Sequence, residues 1–86
     1  KVELGSDYLQ VWSTEHWKHA FYMATQISLE YHLSEVYILV DGPQEHRNYR
    51  VLASEPPDPK ERKALESKLR NDGFVQLKQW PGIRKP

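Results

Sequence analysis

"EVYILVD", residues 35–41, is the most β-prone run in the chain, and its reading decides the fold. Val36, Ile38 and Val40 alternate onto one face, while Tyr37 and Leu39 occupy the other. A strand apolar on both faces is usually covered on both. "GPQEHRN" (42–48) then breaks regular structure, and "YRVLAS" (49–54) returns as a second strand. In that strand Tyr49, Val51 and Ala53 oppose Arg50, Leu52 and Ser54. Two strands joined by a loop of this length read as a hairpin, though not a tight two-residue one.

Towards the N-terminus, residues 15–33 contain neither Gly nor Pro. Ser13 or Thr14 is suited to cap a helix there, because a hydroxyl accepts from the free N–H groups of its first turn. Glu15 follows where the helix dipole favours an anion. At 3.6 residues per turn, Trp17, Ala20, Phe21, Ala24, Ile27, Ser28 and Tyr31 form one stripe, the expected core face. A second group, Tyr22, Leu29 and Leu33, falls on roughly the opposite side and reads as scattered surface residues or a partner surface. Before the helix, "YLQVWS" (8–13) alternates as a first strand, with Leu9 and Val11 opposing Tyr8, Gln10 and Trp12. Residues 1–7 read as a loose terminus, or as an edge strand through Val2 and Leu4.

Towards the C-terminus, "EPPDP" (55–59) is a stiff connector into a second helix. Asp58 suits the N-cap, Pro59 the first helical position, and Glu61 a capping box. Gly73 suits a left-handed C-cap. The apolar content of this helix is only Ala64, Leu65 and Leu69, so it should bury a narrow stripe and point its ladder of Lys, Arg and Glu outward. "FVQLKQW" (74–80) is the expected last strand, with Val75 and Leu77 inward, and 81–86 a loose basic tail.

The resulting order, β-α-β-β-α-β, matches a split βαβ, or ferredoxin-like, sandwich in a single α+β domain spanning 1–86. One antiparallel sheet would carry both helices on one face. That topology implies no activity. Leu9, Val11, Val36, Ile38, Val40, Val51, Val75 and Leu77 would then lie beneath the helices. Tyr8, Trp12, Tyr37, Leu39, Arg50, Leu52, Phe74, Lys78 and Trp80 would collect on the other face, unless a bulge shifts a strand's phase. So much apolar area on one face calls for a cover.

Two covers are physically reasonable, beside the plainer one of extra residues from a longer parent chain. A second copy or a protein partner can bury the patch, with Tyr8, Trp12, Tyr37, Leu39, Arg50, Leu52, Lys78 and Trp80 as the binding face. Alternatively, single-stranded nucleic acid can stack on the aromatics while Arg50 and Lys78 meet phosphates. Twelve Lys+Arg against twelve Asp+Glu leave a formal net charge of zero, and "HRNYRVLAS" departs from the glycine-aromatic pattern of RNA-binding sheets. The protein interface is therefore preferred.

Catalytic chemistry finds little support. Cysteine is absent, which removes disulfides and thiolates and leans towards a cytoplasmic setting. No apolar run approaches the ~20 residues needed to cross a bilayer, so no membrane partner is expected. His16 and His19, with Glu15, Met23 and Glu30 nearby, could be imagined around a metal, but no HExxH pattern is present and a solvated helix flank is the ordinary reading. Asp41, Glu45 and His46 cluster in a loop, where polar residues are normal. Neither a Gly-rich phosphate cradle nor a nucleophile elbow is present. No catalytic residue, cofactor or metal is assigned; the expected function is binding.

Overall fold

In the computed structural model, which describes residues 8–33 and 35–80, strands and helices follow one another as β1 (Tyr8–Thr14), α1 (Trp17–Glu30), β2 (Val36–Asp41), β3 (Asn48–Ser54), α2 (Pro59–Asn71) and β4 (Lys78–Trp80). The expectations for 1–7 and 81–86 lie outside the described residues. The strands form one sheet in the order β2-β3-β1-β4, with every neighbouring pair antiparallel. The protein is thus a small α+β fold with one four-stranded antiparallel sheet and two helices. Buried Leu9 and Val11 of β1, Val51 of β3, Ala20, Ile27 and Tyr31 of the first helical segment, and Leu69 of α2 make one core cluster.

Local chemistry explains the ends of α2. The Asp58 carboxylate accepts from the Lys60 N–H at 3.1 Å, and Pro59 opens the helix where no N–H is needed. At the other end Gly73 adopts φ +105°. Its N–H donates to the Arg70 carbonyl, and the Phe74 N–H donates to that of Leu69. This is a Schellman ending, which returns the chain onto the helix it has just left. It also explains why β4 begins at Lys78 and not at residue 74: Phe74 spends its N–H on α2 and packs against the core cluster. Phe74 therefore lies on the helix side, contrary to expectation, and Val75 is exposed where burial was expected.

The start of α1 is later than expected. Thr14 stays in β1, its Oγ1 accepting from the His16 N–H, and His16 holds the N-cap position without a side-chain cap. The helix ends at Glu30, and His32 follows at φ +55°. The buried stripe is also turned. Ala20, Ile27 and Tyr31 are buried and Met23, Ala24 and Leu33 pack partly against them, whereas Trp17 and Phe21 face outward. The axis of burial lies roughly 50° from the expected one, at 3.6 residues per turn. Phe21 is 57 % exposed and is not the core anchor that the periodicity implied.

A bulge in β1 makes a further correction, and Val40, expected beneath the helices, is 51 % exposed. Gln10 pairs with Leu52 but Trp12 pairs with Val51, so Val11 is an extra residue opposite no partner. Before the bulge the expected phase holds. After it, Trp12 shares a face with core residue Val51, and its ring meets Phe74 edge-on at 6.4 Å. Trp12 therefore belongs to the helix side of the sheet.

Candidate interaction surfaces

The sheet face away from the core carries seven of the expected binding residues, in the register that β-pairing sets. Tyr8 lies opposite Trp80, Gln10 opposite Lys78 and Leu52, Tyr37 opposite Leu52, and Leu39 opposite Arg50. Tyr8, Tyr37, Leu39, Arg50, Leu52, Lys78 and Trp80 are brought together; Trp12 is not. Exposure differs sharply within this set. Tyr8 and Leu52 are fully buried, Tyr37, Leu39, Arg50 and Trp80 are half-buried, and only Lys78 is exposed. Tyr8 and Tyr37 meet edge-to-face at 5.8 Å, and the Tyr37 hydroxyl donates to Glu35 Oε1 at 3.3 Å.

Polar groups on this face are committed to one another. Gln10, itself buried, accepts at Oε1 from Arg50 Nη1 at 3.2 Å and from the Trp80 indole N–H at 2.9 Å. Arg50 also pairs with Asp41 through Nε and Nη2, both at 3.2 Å. Its guanidinium carbon sits 5.6 Å from the Trp80 ring centre, and Lys78 Nζ lies 5.1 Å from the same ring. A side chain held by a carboxylate, an amide and an indole ring is poorly placed to meet a phosphate, because each partner would have to be given up. Asp41 is thereby removed from the acid cluster suggested by the loop; its other oxygen accepts from the Gly42 N–H at 2.8 Å. The His16 and His19 rings meet edge-on at 5.2 Å, and no group of three metal-ligating side chains occurs among the described residues.

The exposed apolar surface lies elsewhere. Along α1, Trp17, Phe21 and Leu29 are 52, 57 and 67 % exposed, and Val40 at the edge of the sheet is 51 % exposed. Trp17 packs against Phe21 at 5.5 Å and against Tyr49 at 6.4 Å between ring centres. Between this flank of α1 and β2 runs an open groove of about 440 Å³, lined by Phe21, Ala24, Thr25, Ser28 and Leu29 on one wall and by Val36, Tyr37 and Ile38 on the other. None of the described residues that line it is charged. The periodicity of α1 had placed Leu29 outside the core and Phe21 within it; the rotated helix instead carries Phe21 out of the core, to the groove that Leu29 also lines.

β2 is the outermost strand on this side, pairing only with β3 among the described residues. The Ser54 N–H donates to the Glu35 carbonyl at 3.0 Å, which makes residues 35 and 54 a hydrogen-bonded pair. Antiparallel pairing alternates. In the β2–β3 register, the backbone groups of Tyr37, Leu39 and Asp41 therefore point at β3, and those of Val36, Ile38 and Val40 point away from it. The chain shows no match to any protein-family model, and no significant similarity to a curated protein or a solved structure.

Proposed function

We propose that this chain is a non-enzymatic protein-interaction domain that self-associates through apolar surface, built on a split βαβ (ferredoxin-like) scaffold and working in a reducing compartment such as the cytoplasm. The topology supports the scaffold: β3 lies between β1 and β2, and residues of both helices join one core cluster. The lack of cysteine supports the compartment. Among the described residues, no helix is long and apolar enough to cross a membrane.

One observation carries the interaction reading. Phe21 and Leu29 expose apolar surface along the groove, Trp17 extends it against Phe21 and Tyr49, and Val40, paired with Tyr49, is exposed on the strand that forms the other wall. Apolar patches of this kind mark binding surfaces when they are contiguous, not when residues are exposed singly. Arg50 and Lys78, the cations that single-stranded nucleic acid would need on the sheet face, are engaged with Asp41, Gln10 and Trp80 instead. Light scattering from micromolar to millimolar concentration tests the reading. Reversible association that survives high salt is expected, because burial of apolar surface is not screened. A chain that remains monomeric throughout overturns it.

A further inference from the structure

We infer that the surface joining two copies is the free edge of β2, pairing antiparallel with its counterpart across a two-fold axis so that two sheets become one. This rests on the self-association reading above and names the surface and geometry that reading leaves open.

Among the described residues, the outer edge of β2 carries few of the devices that usually protect one. β2 reads Val-Tyr-Ile-Leu-Val before its first charge at Asp41, with neither Lys nor Pro and no bulge in its pairing with β3. Its outward backbone groups come from Val36, Ile38 and Val40, the residues whose side chains share the helix side of the sheet. A partner strand added there would satisfy the backbone and cover the groove together.

Two-fold pairing requires that residues meeting across the axis share a face, so the axis must pass beside a single residue. Centring on Ile38 sets Val36 opposite Val40 and Ile38 opposite itself, and all three outward-pointing residues then fall in hydrogen-bonded pairs. Centring on Leu39 sets Val36 opposite Gly42, beyond the strand and at φ +89°, and loses that pair. The Ile38 register therefore makes the most bonds. It also brings Glu35 towards Asp41 of the second copy, a juxtaposition softened because Asp41 is already neutralised by Arg50 at 3.2 Å.

Area agrees with a second copy. Side chains of this size bury 150–250 Å² when aromatic, so Trp17, Phe21, Leu29 and Val40 at half exposure offer on the order of 400 Å². The groove floor at Val36 and Ile38 and the strand backbone add to this, towards the roughly 800 Å² per partner of a stable interface. The uncharged groove of one copy would receive Phe21 and Leu29 of the other.

Amide hydrogen exchange at low and high protein concentration tests this directly. The Val36, Ile38 and Val40 amides should exchange at least roughly tenfold more slowly in the associated state than in the monomer. Val40→Lys places a charge on an exposed edge position without touching the core, and should weaken association roughly tenfold or more. Lys63→Glu, on α2, should leave association unchanged. An assembly in which those three amides exchange as in the monomer, or in which Val40→Lys associates as the wild type does, overturns strand pairing and leaves self-association standing. A chain monomeric at every concentration overturns both.

Discussion

The Tyr31 hydroxyl donates to the Asp72 carboxylate, tying the residue that follows α1 to the residue that follows α2. Tyr31 is a member of the core cluster, with its ring against Phe74 at 6.5 Å and Lys68 Nζ 5.3 Å from its centre. One side chain thus closes the helix layer at the end where both helices finish.

That link predicts an alkaline transition. Burial pushes the Tyr31 phenol well above its ordinary value, and the hydrogen bond to Asp72 and the negative charges of Asp72 and Glu30 push it further. The folded protein therefore holds the proton more tightly than the unfolded chain does. This contribution is complete below about pH 10, the phenol's unfolded value, and is lost as pH rises through the folded value, by up to ~1.4 kcal/mol per pH unit. Urea titrations between pH 8 and strongly alkaline conditions should show a steeper fall for the wild type than for Tyr31→Phe. At neutral pH the same substitution should cost about 1.5–3 kcal/mol, the range for a hydrogen bond to a charged acceptor. Coincident curves for the two proteins would mean that the bond contributes nothing.

The rotated helix predicts an inversion of what periodicity alone suggests. Ile27 is buried to within 1 % and Phe21 is more than half exposed. Ile27→Ala should therefore cost about 2–5 kcal/mol through lost transfer energy and a residual cavity. Phe21→Ala should cost less than ~1 kcal/mol when measured at concentrations where the chain is monomeric. A larger loss at Phe21 than at Ile27 would restore the expected stripe.

Why these features were unequally legible follows from how local their causes are. Asp58, Pro59 and Gly73 mark the ends of α2 in the sequence because each acts on backbone groups within a few residues. The β-α-β-β-α-β order was legible for the same reason. The phase of β1 was not, because the extra residue at Val11 exists only in relation to Val51 and Leu52 on another strand. The face of α1 was ambiguous because apolar residues cover more than half its circumference; the choice between Phe21 and Met23 is made by the sheet against which the helix packs. Burial of Tyr8 and Leu52 turns an expected aromatic platform into a half-covered face, and the alternation within their own strands carries no sign of it.

Gly42 and Gly73, the positive-φ glycines among the described residues, should separate strain from collision. At Gly73, φ is +105° but a Cβ would meet nothing within 4 Å. Gly73→Ala should then cost on the order of 1 kcal/mol, the left-handed penalty alone. At Gly42, φ is +89° and a Cβ would fall 2.5 Å from the His46 carbonyl oxygen. The same substitution there must also move the Gln44–His46 turn. Gly42→Ala should be the more destabilising in thermal melts, and equal losses would show that the turn yields freely.

The sheet face gives the last prediction, which separates protein from nucleic-acid binding. A base stacked on Trp80 would have to displace either the Arg50 guanidinium or Lys78, and Trp80 is further pinned by its indole N–H on Gln10. A phosphate at Arg50 would compete with Asp41. With a formal net charge of zero, no general field offsets these losses. Single-stranded RNA or DNA should therefore bind no more tightly than millimolar at low salt. Asp41→Asn frees Arg50 and shifts the net charge by one, so if the ion pair is what excludes phosphate, this variant should gain salt-sensitive affinity. Micromolar binding by the wild type, weakened by about 1–3 kcal/mol on Tyr37→Ala and falling steeply with salt, would identify the face as a nucleic-acid platform instead.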